Sequence, residues 1–167
     1  IRDVAVTGVQ TCALPISVSV EHYENFPVAS VLCPPHLRPP ITAIYHFART
    51  ADDIADEGDA SASQRHADLR AYRADLDAIF HGQAPSPRWT ALFESLSRQV
   101  NAHRLPAAPL HHLLDAFAQD IDNPRYARRS ELLAYCDRSA NPVGRLLLHL
   151  YGIADPQAMR SEEHTSE

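Results

Sequence analysis

The spacing of apolar residues is the feature that most restricts how this chain can fold. In successive blocks, apolar side chains recur every three or four residues, the period of an α-helix, and alternating strand-like runs are nearly absent. Proline, glycine or short polar clusters separate the blocks. The pattern predicts an all-α fold with helices near residues 21–31, 41–57, 63–81, 89–102, 110–121 and 130–151. No segment repeats, so we expect a helical bundle rather than a solenoid.

The two ends of the sequence are related to each other. One codon choice for RSEEHTSE, residues 160–167, has a reverse complement that falls within the coding sequence of VQTCALPIS, residues 9–17, and encodes its central QTCALPI. We interpret residues 1–17 and 160–167 as translated sequencing adapter, and residues 18–159 as a natural segment cut from a longer reading frame. The alternative, a signal peptide at residues 1–17, is disfavoured because Asp3 stands near its start and no long apolar run precedes CALPIS.

Charge and cysteine content argue against several classes of function. The chain has 15 basic and 21 acidic residues, a formal net charge of −6, so it lacks the concentrated basic face that nucleic-acid binding needs. No uninterrupted apolar run is long enough to cross a bilayer. Outside the flanks only Cys33 and Cys136 remain, and two distant thiols indicate a reducing, cytoplasmic location rather than a disulfide framework.

Five carboxylates lie in ARTADDIADEGD, residues 48–59, at the end of an otherwise apolar helix. This helix carries an apolar stripe formed by Ile41, Ile44, Tyr45, Ala48 and Ala55. Asp52 falls within the stripe and Asp56 lies one turn further on. Arg49 is beside them, and Asp53 is at the edge of the stripe. The helical phase therefore predicts that acidic side chains face inward.

Two inward carboxylates need a counter-charge. Carboxylates four residues apart repel each other even on an exposed helix, and buried charges without a partner are not tolerated. A Mg²⁺ ion would supply the charge, since it typically takes one or two protein carboxylates together with substrate phosphate oxygens. The alternative is a solvated helix end running into a polar turn, as most charge clusters are. The pattern leaves both open, and the inward phase favours the metal.

A second group of residues with chemical potential spans residues 132–152. Pro142 lies inside this helical pattern and predicts a kink near Asn141. Small residues follow one another at four-residue intervals, namely Cys136, Ala140 and Gly144, and would allow a neighbouring helix or a bulky ligand to come close. Tyr135 and Ser139 line up beside them. We expect Cys136 to be a buried, inert thiol.

Together the two stretches resemble the squalene/phytoene synthase family of head-to-head prenyl synthases. RTADDIADE, residues 49–57, is similar to the first aspartate-rich motif of that family, and YCDRSANPVGRL, residues 135–146, to its YCxxxAxxVGxL motif. HYENFPVAS, residues 22–30, resembles the opening of a bacterial branch that acts in hopanoid synthesis and converts presqualene diphosphate to hydroxysqualene. The resemblance covers residues 21–152 and implies part of an isoprenoid-synthase-type helical bundle.

The resemblance also implies roles for individual residues. Asp52 and Asp56 would be Mg²⁺ ligands, and Tyr135 would have a polar role near the leaving group. Phe26 and Tyr45 would stabilise a carbocation through their rings. Substrate contacts would come from Arg49, Asp53, Arg125, Tyr126, Ser139 and Gly144. The metal would make the diphosphate a leaving group, while apolar helices keep the cation from water. Arg125, Arg128 and Arg129 would form a diphosphate relay with Tyr126, and the alternative, favoured for at least two of these arginines, is a solvated loop.

One expected part of the family pattern is missing. The family has a second aspartate-rich motif on a later helix, and nothing in residues 153–159 supplies it. Asp115, Asp120 and Asp122 lie between the two motifs, so they cannot replace it. We therefore expect this chain alone to be inactive and prone to aggregate, because faces meant to be covered would be exposed.

Alternative functions remain open at the sequence level. One alternative is a squalene or phytoene synthase, which would differ from a hydroxysqualene synthase only in its product. The other is a non-catalytic helical module, which would use the acids at residues 52–59 to bind an arginine-rich partner. The resemblance implies a prenyl diphosphate as ligand and is compatible with peripheral membrane contact or a sister synthase of the same pathway as partners. NADPH is not expected for the hydroxysqualene reaction.

Overall fold

A computed structural model of the protein describes residues 33–122 and 125–154. Six α-helices lie within these ranges: α1 (Arg38–Asp56), α2 (Ala62–Phe80), α3 (Thr90–His103), α4 (Ala107–Ile121), α5 (Arg129–Ser139) and α6 (Asn141–Leu150). Short 3-10 helices occur at Pro35–Leu37 and Pro87–Trp89. No strand occurs in the described residues, as the all-α prediction requires. The helix predicted near residues 21–31 lies outside them.

Helix α1 is central to the bundle, because it contacts α2, α3 and α4. Its Phe47 side chain is fully buried and stacks on Tyr72 of α2, with ring centroids 5.3 Å apart. Phe93 of α3 and Trp89 lie 4.8 and 5.0 Å from the Tyr72 ring. The Tyr72 hydroxyl donates to the Phe47 carbonyl at 3.1 Å, so this buried polar group is satisfied. These contacts fix α1, and with it the acidic stretch, within the bundle.

The C-terminal end of α1 is held by a side chain from α2. The Arg65 guanidinium donates to the carbonyl oxygens of Gly58 at 2.7 Å, Ala60 at 3.0 Å and Ile54 at 3.5 Å. Gly58 has a positive φ of 75°, which turns the chain directly after α1. A cation at a helix C-terminus is favourable, and the unpaired carbonyls there need donors. Arg65 therefore offsets the cost of placing several acids in the last turn.

The final helix predicted for residues 130–151 is divided into α5 and α6. The break falls at Ala140, and Pro142 lies in the first turn of α6. The kink expected near Asn141 is thus confirmed, in the stronger form of a break. Helix α5 begins at Arg129, because the Glu131 side chain reaches back and accepts the N–H groups of Ala127 and Arg128 at 3.0 and 3.3 Å.

Helices α5 and α6 are attached to the bundle differently. Helix α6 buries Pro142 and Leu146, whereas α5 has no buried residue and contacts α4 and α6. Among the described residues, no helix combines the length and the apolar character needed to cross a membrane.

Candidate functional site

The acidic end of α1 is organised around one arginine. The Arg49 guanidinium places Nη1 3.0 Å from Asp52 Oδ2, Nε 2.8 Å from Asp53 Oδ1 and Nη2 2.6 Å from Glu57 Oε1. The Arg49 side chain is only 19% exposed. A single cation therefore serves three carboxylates and supplies part of the counter-charge that the sequence pattern requires.

The predicted metal ligands are less buried than their helical phase indicates. The Asp52 side chain is 35% exposed, and Asp56 is exposed and has no hydrogen bond or ion pair with another residue that the structure describes. The expectation of inward-facing acids is therefore wrong for Asp56, which is exposed, and holds only in part for Asp52, which is half-buried. The physical reason is that Asp56 is the last residue of α1, at an end of the bundle that no described helix covers.

These carboxylates still fit a Mg²⁺ ion that is shared with a ligand. Asp52 and Asp56 are four residues apart on one face of α1, so they can offer the one or two carboxylates that Mg²⁺ takes alongside phosphate oxygens. The described residues contain no group of three or more His, Cys, Asp or Glu side chains placed to hold a metal by themselves. Other ligands would have to complete the coordination.

An apolar cavity of about 230 Å³ lies between α1 and α6. Its lining consists of Ile41, Ile44, Tyr45, Ala48, Val143 and Leu147. Ala48 precedes Asp52 by one turn on the same face of α1, so the cavity wall leads toward the acidic stretch. The structure thus brings the predicted residue Tyr45 together with Val143, which belongs to the second motif.

Tyr135 forms a second group with residues from the end of α4. Its hydroxyl donates to Asp120 Oδ2 at 2.9 Å, and its ring lies 5.4 Å from that of Tyr126. Burial, and then the nearby Asp120 carboxylate, raise the pKa of Tyr135 to about 12, while a hydrogen bond with Ser139 opposes the rise. The structure therefore brings three of the predicted site residues, Tyr126, Tyr135 and Ser139, together around Asp120, which was not among the predicted site residues.

A chain of contacts places the Tyr135 group at the same end of the bundle as the acidic stretch. Arg65 of α2 binds the end of α1, and the adjacent His66 lies 2.9 Å from Asp122. Asp122 follows α4 directly, two residues after the partner of Tyr135. The Tyr135 hydroxyl itself is directed to Asp120 rather than to Asp52 or Asp56.

Other predicted site residues have ordinary surroundings or lie outside the described ranges. Gly144 is exposed, and a methyl group there would meet no described atom within 4 Å, so no described helix comes close at this position and the alternative of a bulky ligand stays a prediction. Cys136 is half-buried rather than buried. Arg125 is exposed, as expected for a loop. Phe26 lies outside the described residues.

Comparisons with known proteins show the relatives of this chain. The family model described as squalene/phytoene synthase matches residues 20–165. Over 131 residues the chain is 41% identical to a hydroxysqualene synthase of Zymomonas mobilis, covering 77% of this chain and 41% of that protein. A presqualene diphosphate synthase of the same organism is 34% identical over 141 residues, covering 84% and 46%.

A solved structure supports the same relationship. The squalene synthase HpnC of Alicyclobacillus acidocaldarius matches with a TM-score of 0.71 and 37% identity, over 83% of this chain and 50% of that one. The chain therefore spans about half the length of the relatives that it matches. Its described helices form part of an isoprenoid-synthase-type bundle. Motifs, fold and relatives lead to one assignment: the chain belongs to the squalene/phytoene synthase family.

Proposed function

We propose that this chain provides one half of a Mg²⁺-dependent enzyme that converts presqualene diphosphate to hydroxysqualene. The observation that carries the proposal is an apolar cavity whose α1 wall leads toward two carboxylates four residues apart. A hydrocarbon chain fits such a cavity, and a diphosphate with its metal fits the acidic end. The 41% identity to a hydroxysqualene synthase supports this substrate over others in the family.

Each part of the site would have a separate task. Asp52 and Asp56 would hold Mg²⁺, which neutralises charge on a leaving diphosphate when it is bound. Arg49 would exchange a carboxylate partner for a diphosphate oxygen, since its planar guanidinium suits both. Tyr45 in the cavity wall would face the cyclopropylcarbinyl cation with its ring, and the apolar lining would exclude water until capture. Phe26 remains a second candidate for the same role.

The complete protein, recovered from its reading frame, allows a direct test. Incubation with presqualene diphosphate and Mg²⁺ should yield hydroxysqualene without NADPH, and Asp52→Asn should lose most of this activity. The matched control is Asp59→Asn, which removes an exposed carboxylate from the turn after α1. Formation of no hydroxysqualene by the folded wild-type protein would contradict the proposal.

A second candidate is supported by the 34% identity to a presqualene diphosphate synthase. Mass analysis of the products from farnesyl diphosphate and from presqualene diphosphate separates the two activities. A squalene or phytoene synthase would be recognised in the same assay by its hydrocarbon product. Equal binding of Mg²⁺ and a farnesyl diphosphate analogue by wild type and Asp52→Asn would favour the non-catalytic helical module.

A further inference from the structure

Tyr135 is tied to the end of α4 by contacts that lie outside the two sequence motifs. Its hydroxyl donates to Asp120 Oδ2 at 2.9 Å, and its ring lies against Tyr126. A phenol has one proton to donate and two lone pairs with which to accept. Because this hydrogen is directed to Asp120, Tyr135 can offer a ligand only its oxygen lone pairs, one of which faces Ser139.

Neighbouring side chains fix this arrangement from both helices. Arg138 Nη2 donates to Gln119 Oε1 at 2.9 Å, and Gln119 Nε2 donates to the Tyr126 hydroxyl at 2.9 Å. Arg138 lies three residues after Tyr135, so both side chains are on the face of α5 that contacts α4. Two hydrogen bonds to α4 therefore set the rotation of α5 about its own axis.

We propose that Asp120 is a positioning residue for Tyr135: by accepting the hydrogen bond of the hydroxyl, it leaves Tyr135 as a hydrogen-bond acceptor in the site. This inference rests on the proposed function and on the role at the reacting ligand that the family motif implies for Tyr135. An acceptor is repelled by diphosphate oxygens and attracted by a carbocation or by the O–H of a water molecule. Tyr135 then acts on the cation or on the water that captures it, and not beside the leaving group as the motif alone indicates.

The ionisation of Tyr135 is consistent with this geometry. Burial and the Asp120 carboxylate hold its pKa at about 12, so the hydroxyl keeps its proton at neutral pH and the hydrogen bond to Asp120 persists. The groups that face Tyr135 are Asp120 and Tyr126 from the α4 side and Ser139 from its own helix.

The first experiment tests the contact in the chain itself. Tyrosine ionisation is followed by ultraviolet absorbance from about 1 pH unit below the ordinary tyrosine pKa of about 10 to about 1 pH unit above the pKa of Tyr135. The Tyr135→Phe variant identifies the contribution of Tyr135. Asp120→Asn should lower the pKa of Tyr135 by about 1 because a negative charge is removed. Asp122→Asn is the control, since it removes the same charge from the same end of α4. An unchanged titration in Asp120→Asn, or an equal change in Asp122→Asn, would overturn the inference.

The second experiment tests the role in the complete protein with presqualene diphosphate. Asp120→Asn should lower kcat about tenfold at similar KM. In a Tyr135→Phe background the same substitution should cause no further loss of kcat, because the effects of substitutions at contacting residues are not additive. Asp120→Glu should retain more activity than Asp120→Asn. An unchanged kcat, or fully additive losses in the double variant, would refute the positioning role. Circular dichroism verifies that each variant is folded.

A third measurement determines whether Tyr135 contacts the diphosphate end of the ligand or its hydrocarbon end. Binding of inorganic pyrophosphate with Mg²⁺ to the complete protein should be unchanged in Tyr135→Phe and weakened in Arg49→Gln. Weakening by Tyr135→Phe as large as that by Arg49→Gln would place Tyr135 at the leaving group and overturn the inference. If the folded wild type turns over no presqualene diphosphate, the proposed function fails, and the titration of the chain still decides whether Asp120 positions Tyr135.

Discussion

At the scale of single residues, Arg49 sets the charge balance of the acidic stretch. It contacts three carboxylates at 2.6–3.0 Å while being largely covered. Arg49→Met should lower the free energy of unfolding by about 1–2 kcal/mol. A single ion pair at the surface contributes less than about 1 kcal/mol, and the three ion pairs of Arg49 act as a network. Urea unfolding at low salt measures the loss, and Arg70→Met on the exposed face of α2 is the control.

Added Mg²⁺ distinguishes a metal site from a mere charge cluster. If Asp52 and Asp56 bind the ion, millimolar Mg²⁺ should raise the melting temperature of Arg49→Met more than that of Arg49→Met/Asp52→Asn, because a ligand stabilises the state to which it binds. The same increase in both variants would mean that Mg²⁺ acts only by screening.

Tyr72 makes stability depend on alkaline pH. Its burial raises its pKa far above the ordinary value, so above about pH 10 the unfolded chain loses this proton while the folded chain keeps it. The stability that Tyr72 contributes is therefore complete below pH 10 and decreases by up to about 1.4 kcal/mol per pH unit above it. Urea unfolding at several alkaline pH values measures the slope, which Tyr72→Phe should reduce.

Tyr72→Phe should also have an effect at neutral pH. The variant loses the hydrogen bond to the Phe47 carbonyl, which we expect to cost about 1 kcal/mol. Tyr45→Phe, which changes a half-buried ring in the cavity wall, is the matched control. An alkaline slope that is as steep in Tyr72→Phe as in the wild type would contradict the assignment.

Residue patterns predicted part of the candidate site and missed the rest for a definable reason. The apolar stripe on α1 predicted residues that do line the cavity, Ile41, Ile44, Tyr45 and Ala48, and Asp52 follows Ala48 by one helical turn. It could not show that α1 ends at Asp56, which leaves that side chain exposed. Asp120 was excluded as a substitute for the second aspartate-rich motif because it lies between the two motifs that are present. Its proximity to Tyr135 could not be predicted, since it depends on how α4 and α5 pack.

At the scale of helices, local signals fixed the order and type of the elements better than their ends. Proline and glycine marked every connection, and the observed helices begin within a few residues of the predicted starts. The ends depend on side chains from other elements, such as Arg65 at the end of α1 and Glu131 at the start of α5. Such contacts have no periodic signature in the sequence.

The Arg65 cap gives a prediction about the last turn of α1. Arg65→Met should lower the free energy of unfolding by about 1 kcal/mol, since it removes the three hydrogen bonds of the guanidinium and a favourable charge at a helix C-terminus. Hydrogen exchange should accelerate for amides near Asp53 and Glu57 while those of α3 stay protected. Arg70→Met is the control, and equal exchange in the two variants would show that Arg65 does not hold the turn.

At the scale of the whole molecule, the bundle has a well-packed side and a sparsely packed side. Aromatic residues from α1, α2 and α3 form a continuous buried cluster, whereas α5 buries no residue. Two adjacent leucines of α5, Leu132 and Leu133, are 45% and 52% exposed. Because apolar surface of this kind favours association, we retain the prediction that the chain aggregates.

The leucines of α5 allow that prediction to be tested without disturbing the core. Replacing both by glutamine should reduce light scattering and self-association at a given concentration, while the melting temperature changes little because neither side chain is buried. Ala134→Gln, at an exposed position of the same helix, adds a similar side chain without removing a large apolar one. Undiminished scattering in the double variant would mean that association uses another surface, and a large fall in melting temperature would mean that the leucines support the fold.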